Sequence, residues 1–203
     1  MTPGADPDAV AAVVDPAEVL DFWFGAAGAP GANRPRDVWF RKDETFDAAI
    51  ASRFGATLDA ALQGRLEDWL HAPDAALACV LVLDQFTRNA FRGTPRAFAG
   101  DARALAAARH IVAAGWDGAM APVRRWFCYL PFEHSETLAD QDESVRLFGQ
   151  LRDDPDAGGA LAWAESHRDV IKRFGRFPHR NEILGRASSP EELAFLAQPG
   201  SRF

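Results

Sequence analysis

The chain has 203 residues, 48% of them hydrophobic and 25% charged, with 29 acidic and 22 basic side chains. A net charge of -7 excludes a dominant basic field, so we expect neither nucleic acid nor an anionic membrane surface as the main partner. A single domain of this length buries enough surface to fold without disulfides or a structural metal.

Several classes of site are missing from the sequence. Cys79 and Cys128 each lie among large apolar residues, as inert buried thiols do, and no Cys/His cluster has zinc-ligand spacing. Phosphate-binding loops, dinucleotide fingerprints and the GxSxG motif are also missing, so the sequence predicts no cofactor and no metal. It contains no apolar run as long as a membrane span and no signal peptide, which predicts a cytoplasmic location.

The first predicted element follows an irregular beginning. Residues 1–14 show no periodicity and are predicted to be a disordered tail, before a single all-helical domain over residues 15–203. Asp15 is a good N-cap with Pro16 at the first helical position, and the short helix that they begin ends at Gly25.

The middle of the chain is predicted to be helical throughout. Asp43 caps an amphipathic helix that ends near Gly64, with apolar residues at steps of four: Phe46, Ile50, Phe54, Leu58 and Leu62. The next helix, from Pro73, contains the run ALACVLVL, which is apolar on every face and therefore predicts a position in the centre of the fold. A further helix ends at Gly115, and the one after it continues in helical period past Pro131.

The last third of the chain completes the predicted fold. Helices are expected over about 140–151 and 157–174, the second ended by Gly175, and Ser189 with Glu192 forms a capping-box signature for a last short helix. No segment alternates with the period of a strand, and short connections favour antiparallel neighbours. The sequence therefore predicts an all-α fold, an irregular stack of antiparallel helical hairpins in a single domain.

The first candidate site is the polar stripe that follows the central apolar run. Asp84 and Arg88 are one helical turn apart, and Asn89 and Arg92 lie along the adjacent row. A polar row on a central helix must be satisfied within the protein or line a cavity that holds a ligand. Arg92 and Arg96 favour an anion site, because guanidinium groups match carboxylates and phosphates. The alternative is a buried ion-pair network that fixes helix packing.

The second candidate site is the acidic segment EHSETLAD. Glu133 and Glu136 are three residues apart and Asp140 follows one turn later, so three carboxylates would share a helical face beside His134. Such a set suits a hard metal ion or acid–base chemistry, although its spacing matches neither the di-iron nor the zinc-peptidase motif. The alternative is a solvated acidic face.

The third candidate site lies near the C-terminal end. His167 shares a helical face with core residues, which indicates either a structural histidine or a catalyst. Between positions 165 and 186 there are six basic and three acidic side chains in an otherwise acidic protein. A tight turn in this segment carries four candidate ligand-binding residues: Arg176, His179, Arg180 and Asn181. The alternative is a set of surface salt bridges.

Four motifs together resemble a known family. They are DFWFG, LDQFTRNAFRGTPRAFA, YLPFEHSE and HRDVIKRFGRFPHRNEILGR, spread from about Asp15 to Phe195. The sequence resembles the bacterial proteins that share the domain of unknown function 924. The resemblance implies an all-helical protein of the tetratricopeptide-like superfamily, and it implies no activity, cofactor or catalytic residue.

Two functions follow from these clusters. The first is a binding protein in which arginine-rich polar residues hold an anionic small molecule or an acidic peptide: Arg88, Asn89, Arg92, Arg96, Arg176, His179, Arg180 and Asn181. The alternative is a hydrolase or lyase in which His134 or His167 acts with Glu133 or Glu136, while the arginines hold a substrate anion. A third alternative is a structural protein that forms a homo-oligomer, because six tryptophans and 15 phenylalanines offer more aromatic surface than a small core hides.

Overall fold

The helices of the protein enclose one large apolar core. A computed structural model describes residues 12–201, with α1 (Pro16–Phe24), α2 (Glu44–Leu62), α3 (Pro73–Leu81), α4 (Thr87–Ala90), α5 (Asp101–Ala113), α6 (Pro122–Glu133), α7 (Leu138–Gly149), α8 (Ala160–Phe174) and α9 (Pro190–Leu196). Turns of 3-10 helix occur at Asp37–Trp39, Glu67–His71, Pro95–Phe98, Trp116–Ala119 and Pro178–Arg180. No strand occurs within residues 12–201, and the predicted irregular stack of antiparallel helical hairpins is confirmed.

Residues 1–11, most of the predicted tail over 1–14, lie outside the described residues. Within the described range, the backbone N–H of Val14 donates a hydrogen bond to Thr57 Oγ1 at 3.0 Å, so the chain is held to α2 just before α1 begins. None of the helices in residues 12–201 combines the length and the apolar character that a membrane span requires.

Local capping explains where several helices begin and end. Asp15 Oδ1 accepts a hydrogen bond of 2.8 Å from the backbone N–H of Ala17 at the start of α1. Ser189 and Glu192 form both hydrogen bonds of the capping box at the start of α9. Gly175 ends α8 with a φ of 68°, a left-handed conformation in which a Cβ would be strained. The sequence predictions for these positions are confirmed.

The helix α3 lies in the centre of the fold, as its apolar sequence predicted. Residues 76–87 are all buried, and α3 packs against α1, α5 and α6. A five-residue π-helical turn, Val82–Phe86, joins α3 to α4, so residues 73–90 form one continuous helix. The core contains fully buried aromatic side chains, Phe86 from this helix and the others from the elements around it: Trp23, Phe24, Phe54, Phe127 and Phe148. Among the described residues, Phe40 and Trp163 are the large aromatic side chains that stay exposed.

One predicted helix is interrupted. The sequence predicted helical period well beyond Pro131, but α6 ends at Glu133 and α7 begins only at Leu138. The hydroxyl groups of Ser135 and Thr137 both donate to the Asp140 carboxylate, at 2.7 and 2.6 Å, which holds the connection in a non-helical conformation. The prediction that Glu133, Glu136 and Asp140 share one helical face is therefore wrong.

Candidate functional site

Eight titratable side chains meet where several helices begin or end, and we call them the polar cluster. They come from the π turn, α4, α5, α6 with its C-cap, α8 and the 3-10 turn Pro178–Arg180. Its members are Asp84, Arg88, Asp101, Glu133, His134, His167, His179 and Arg180. Titratable groups are seldom buried without a structural or functional reason, so this cluster is the candidate functional site.

The π turn places the first carboxylate of the cluster. Asp84 lies within this turn and has no exposed side-chain surface. The N-terminus of α5 approaches the same turn so closely that a Cβ on Gly100 would lie only 2.1 Å from the carbonyl oxygen of Leu83. Glycine at this position thus lets Asp101, the next residue, reach the cluster. π turns inside α-helices frequently mark functional sites.

Asp84 and His134 form the shortest contact between a carboxylate and a histidine in the cluster. Asp84 Oδ1 lies 2.7 Å from His134 Nδ1, and Gln85 Nε2 donates to Asp84 Oδ2 at 2.6 Å. Burial alone would raise the pKa of Asp84, but Arg88 and His134 hold it well below its usual range. An ionised carboxylate can only accept, so His134 Nδ1 carries the proton and Nε2 is left with a lone pair. Burial and Arg88 lower the pKa of His134, so the ring is neutral at pH 7.

Glu133 and His167 form a second pair. Glu133 Oε1 lies 3.4 Å from His167 Nδ1, which donates its proton to the carbonyl oxygen of Trp163 at 2.8 Å. Burial, together with Asp84, raises the pKa of Glu133 to about 8, whereas burial lowers the pKa of His167 to about 3. Both groups are therefore neutral at pH 7. Glu133 Oε2 is buried and has no hydrogen-bond partner in the described part of the chain.

Two arginines of the predicted ligand set meet on one carboxylate. Arg88 donates to both oxygens of Asp101, at 2.9 and 3.2 Å, and Arg180 Nη1 donates to Asp101 Oδ2 at 2.9 Å. The Arg180 guanidinium also lies 4.8 Å from the ring centre of Phe98 and 4.7 Å from that of Phe177. Burial and the neighbouring charge of Arg88 lower the pKa of Arg180 to about 10, which keeps it charged.

His179 connects the cluster to a cavity. Burial and the charge of Arg180 lower the pKa of His179 to about 3. The same histidine lines a cavity of about 520 Å³ between the loop after α8 and α9. The other lining residues are Pro178, Glu182, Arg186, Ser188, Leu193, Leu196 and Ala197.

The remaining candidate residues lie outside the cluster and are paired with other side chains. Asn89 and Arg92 both donate to Asp47 on α2, and Arg96 pairs with Asp59. Nearer the C-terminus, Arg176 forms a bidentate pair with Glu192, and Asn181 donates to Ser188. Glu136 accepts from the Arg186 guanidinium and from the backbone N–H of Phe177, and so holds the loop that carries Arg180. Of the predicted ligand residues, the polar cluster thus contains Arg88, His179 and Arg180, and the other five lie outside it.

Sequence reasoning missed Asp101. The dipeptide Gly100-Asp101 at a helix start was its one local signal, since Asp101 is the first residue of α5. Its ion pair with Arg180 joins positions 79 residues apart, which no local pattern reveals.

Within residues 12–201, no group of three or more His, Cys, Asp or Glu side chains is arranged to hold a metal ion.

Comparisons with known proteins agree with the resemblance. The family model described as "Bacterial protein of unknown function (DUF924)" matches residues 19–200. The chain is also similar to a solved structure of a protein of unknown function from Agrobacterium tumefaciens, with 41% identity and a TM-score of 0.79 over 90% of this chain and 96% of that one. A comparison with curated proteins finds no match. Membership of the tetratricopeptide-like superfamily stays a prediction.

Proposed function

Since the chain belongs to the bacterial DUF924 family, which is described as of unknown function, we propose an activity from the site alone: a hydrolase or lyase with His134 as general base. The observation that carries the proposal is the hydrogen bond of 2.7 Å between His134 Nδ1 and the ionised Asp84. A carboxylate on one ring nitrogen fixes the tautomer and orients the ring, so that the other nitrogen accepts a proton.

Three features of the cluster support this proposal. Asp84 has no exposed side-chain surface whereas His134 keeps 15% of its own exposed, so the histidine is the member of the pair that meets solvent. Glu133, the preceding residue, is a neutral acid at pH 7 and can donate the proton that a leaving group requires. Arg88 and Arg180 supply buried positive charge for an anion that develops during the reaction.

A binding protein without catalysis is the second candidate function. The observation that favours it is the convergence of Arg88 and Arg180 on one carboxylate, since paired guanidinium groups commonly hold anions. An anionic small molecule fits this arrangement, and so does an acidic peptide terminus. A cytoplasmic location and a homo-oligomer stay predictions from the sequence.

The proposal is tested with two generic substrates of a general base. Hydrolysis of 4-nitrophenyl acetate reports activation of water, and ring opening of 5-nitrobenzisoxazole reports removal of a proton from carbon. We expect His134→Gln to lower the rate with at least one substrate by a factor of about 100 or more. Asp84→Asn should also lower it, because the wrong tautomer of His134 is then favoured.

The control is His71→Gln, which changes an exposed histidine outside the cluster. It should keep the wild-type rate with both substrates. Circular dichroism and thermal unfolding confirm that each variant is folded. A His134→Gln variant that is folded and as active as the wild type would exclude His134 as the base.

A further inference from the structure

Asp101 is the least buried charged group of the polar cluster. Its side chain is 21% exposed, compared with 19% for Arg88, 7% for Arg180 and none for Asp84. The two arginines are its only hydrogen-bond partners within the described chain. Asp84, in contrast, is fixed by hydrogen bonds with His134 and Gln85. Of the two carboxylates that neutralise the arginines, Asp101 is therefore the one that can leave.

The surroundings of Arg180 show what would take its place. Its guanidinium lies near the rings of Phe98 and Phe177, and the Nε atom is buried with no hydrogen-bond partner in residues 12–201. If Asp101 moved away, the buried Arg180 and the half-buried Arg88 would lose their shared counter-ion, which is strongly unfavourable unless another anion replaces it. The space between the two arginines fits a carboxylate group, because Arg88 donates hydrogen bonds to both carboxylate oxygens of Asp101.

We infer that the substrate of this site carries a carboxylate group, which replaces the carboxylate of Asp101 between Arg88 and Arg180. Until substrate binds, Asp101 serves as the counter-ion that neutralises the charges of Arg88 and Arg180. The inference rests on the proposed function, because it names the substrate class for the base His134. It also gives the predicted anion site a definite place, at two of the eight residues that the sequence suggested.

The binding test uses acetate as the probe and the variant Asp101→Ala, which removes the carboxylate between Arg88 and Arg180. By isothermal titration calorimetry, we expect this variant to bind acetate at least tenfold more tightly than the wild type. The added change Arg180→Gln should abolish the gain. The matched control is Asp59→Ala, which removes the carboxylate partner of the exposed Arg96 and should leave acetate binding at the wild-type level.

Two results of this test would overturn the inference. One is acetate binding to Asp101→Ala that is no tighter than to the wild type. The other is tighter binding of inorganic phosphate than of acetate, which would show that the site does not select a carboxylate. If the variant is unfolded in chloride, we expect acetate to restore its folding, and failure of acetate to do so contradicts the inference as well.

Kinetics separate this inference from the proposed function. The wild-type protein should hydrolyse the mono-4-nitrophenyl ester of succinate, which has a free carboxylate, with a KM at least tenfold lower than that of 4-nitrophenyl butyrate. Equal KM values with hydrolysis that depends on His134 would refute the carboxylate inference and leave the proposed function standing. Tight acetate binding to Asp101→Ala without any hydrolysis or elimination would refute the proposed function alone.

Discussion

Replacing Glu133 by glutamine should stabilise the protein at neutral pH and remove one component of its pH dependence. Burial and Asp84 raise the pKa of Glu133 from 4.5 to about 8. In the unfolded chain the carboxyl group loses its proton near pH 4.5, so between pH 4.5 and 8 only the folded state keeps it. The wild type then loses stability as pH rises through this window, by about 1.4 kcal/mol for each pH unit.

The structure sets the size of the effect. At pH 7 the window has been crossed by 2.5 units, so the ionisation of Glu133 in the unfolded chain lowers the stability of the wild type by about 3 kcal/mol relative to a side chain that does not titrate. Glutamine has nearly the shape of the protonated acid, but its amide adds one donor near the unpartnered Oε2, a cost of about 1 kcal/mol at any pH. The variant should therefore be the less stable protein at pH 4 and the more stable one at pH 7.

The assay is urea unfolding of both proteins at half-unit steps from pH 4 to pH 8.5. The difference in the free energy of unfolding between the two proteins isolates the titration of Glu133, because His167 and His179 titrate identically in both. The lowered pKa values of these histidines give each protein a component of stability that is lost as pH falls below 6.5. Glu136→Gln is the control of opposite sign, since hydrogen bonds from Arg186 and Phe177 outweigh burial and lower the pKa of Glu136. That variant should lie below the wild type by an amount that no longer changes once pH is above the unfolded pKa of 4.5, and that shrinks as pH falls below it. A Glu133→Gln difference that does not change between pH 4 and pH 8 would refute the reasoning.

Further predictions concern packing and ion pairs. Arg180→Ala should lower the free energy of unfolding in urea by about 3 to 5 kcal/mol, because it removes one partner of a buried ion pair. Arg96→Ala, at an exposed pair, should lower it by less than about 1 kcal/mol. Equal losses of stability would contradict the burial of Arg180. Gly100→Ala should lower the melting temperature, because its Cβ would meet the carbonyl oxygen of Leu83 at 2.1 Å. Gly55→Ala, in open space within α2, should raise stability by about 0.5 to 1 kcal/mol, and a loss there would count against the helical environment.

The fold was predictable where single segments decide it. Asp15 and Ser189 cap their helices with their own side chains, and the apolar run of α3 requires burial on every side. The prediction failed at the end of α6, where side-chain hydrogen bonds replace helical backbone bonds. Ser135 and Thr137 both bond the Asp140 carboxylate, so the helical period of the surrounding apolar residues is not sufficient to continue the helix.

The site was predictable only as a set of residue types. Glu133, His134, His167, Arg88 and Arg180 were all candidates, but their partners depend on how the helices pack. The contact between His134 and the π turn joins positions 50 residues apart, and the ion pair of Arg180 spans 79 residues. Hydrophobic periodicity positions a helix face, yet it does not fix which polar side chains meet across that face.

The charges of the polar cluster explain why the catalytic proposal and the anion-binding proposal use the same residues. Asp84 and Asp101 neutralise Arg88 and Arg180, while His134, His167, His179 and Glu133 are neutral at pH 7. The lowered histidine pKa values leave a neutral base, and the raised pKa of Glu133 leaves a neutral acid. Apolar side chains in place of a buried ionic network are often neutral or stabilising, so stability alone does not require a cluster of this composition. A neutral base beside a neutral acid and two arginines is the arrangement that the proposed acid–base function uses.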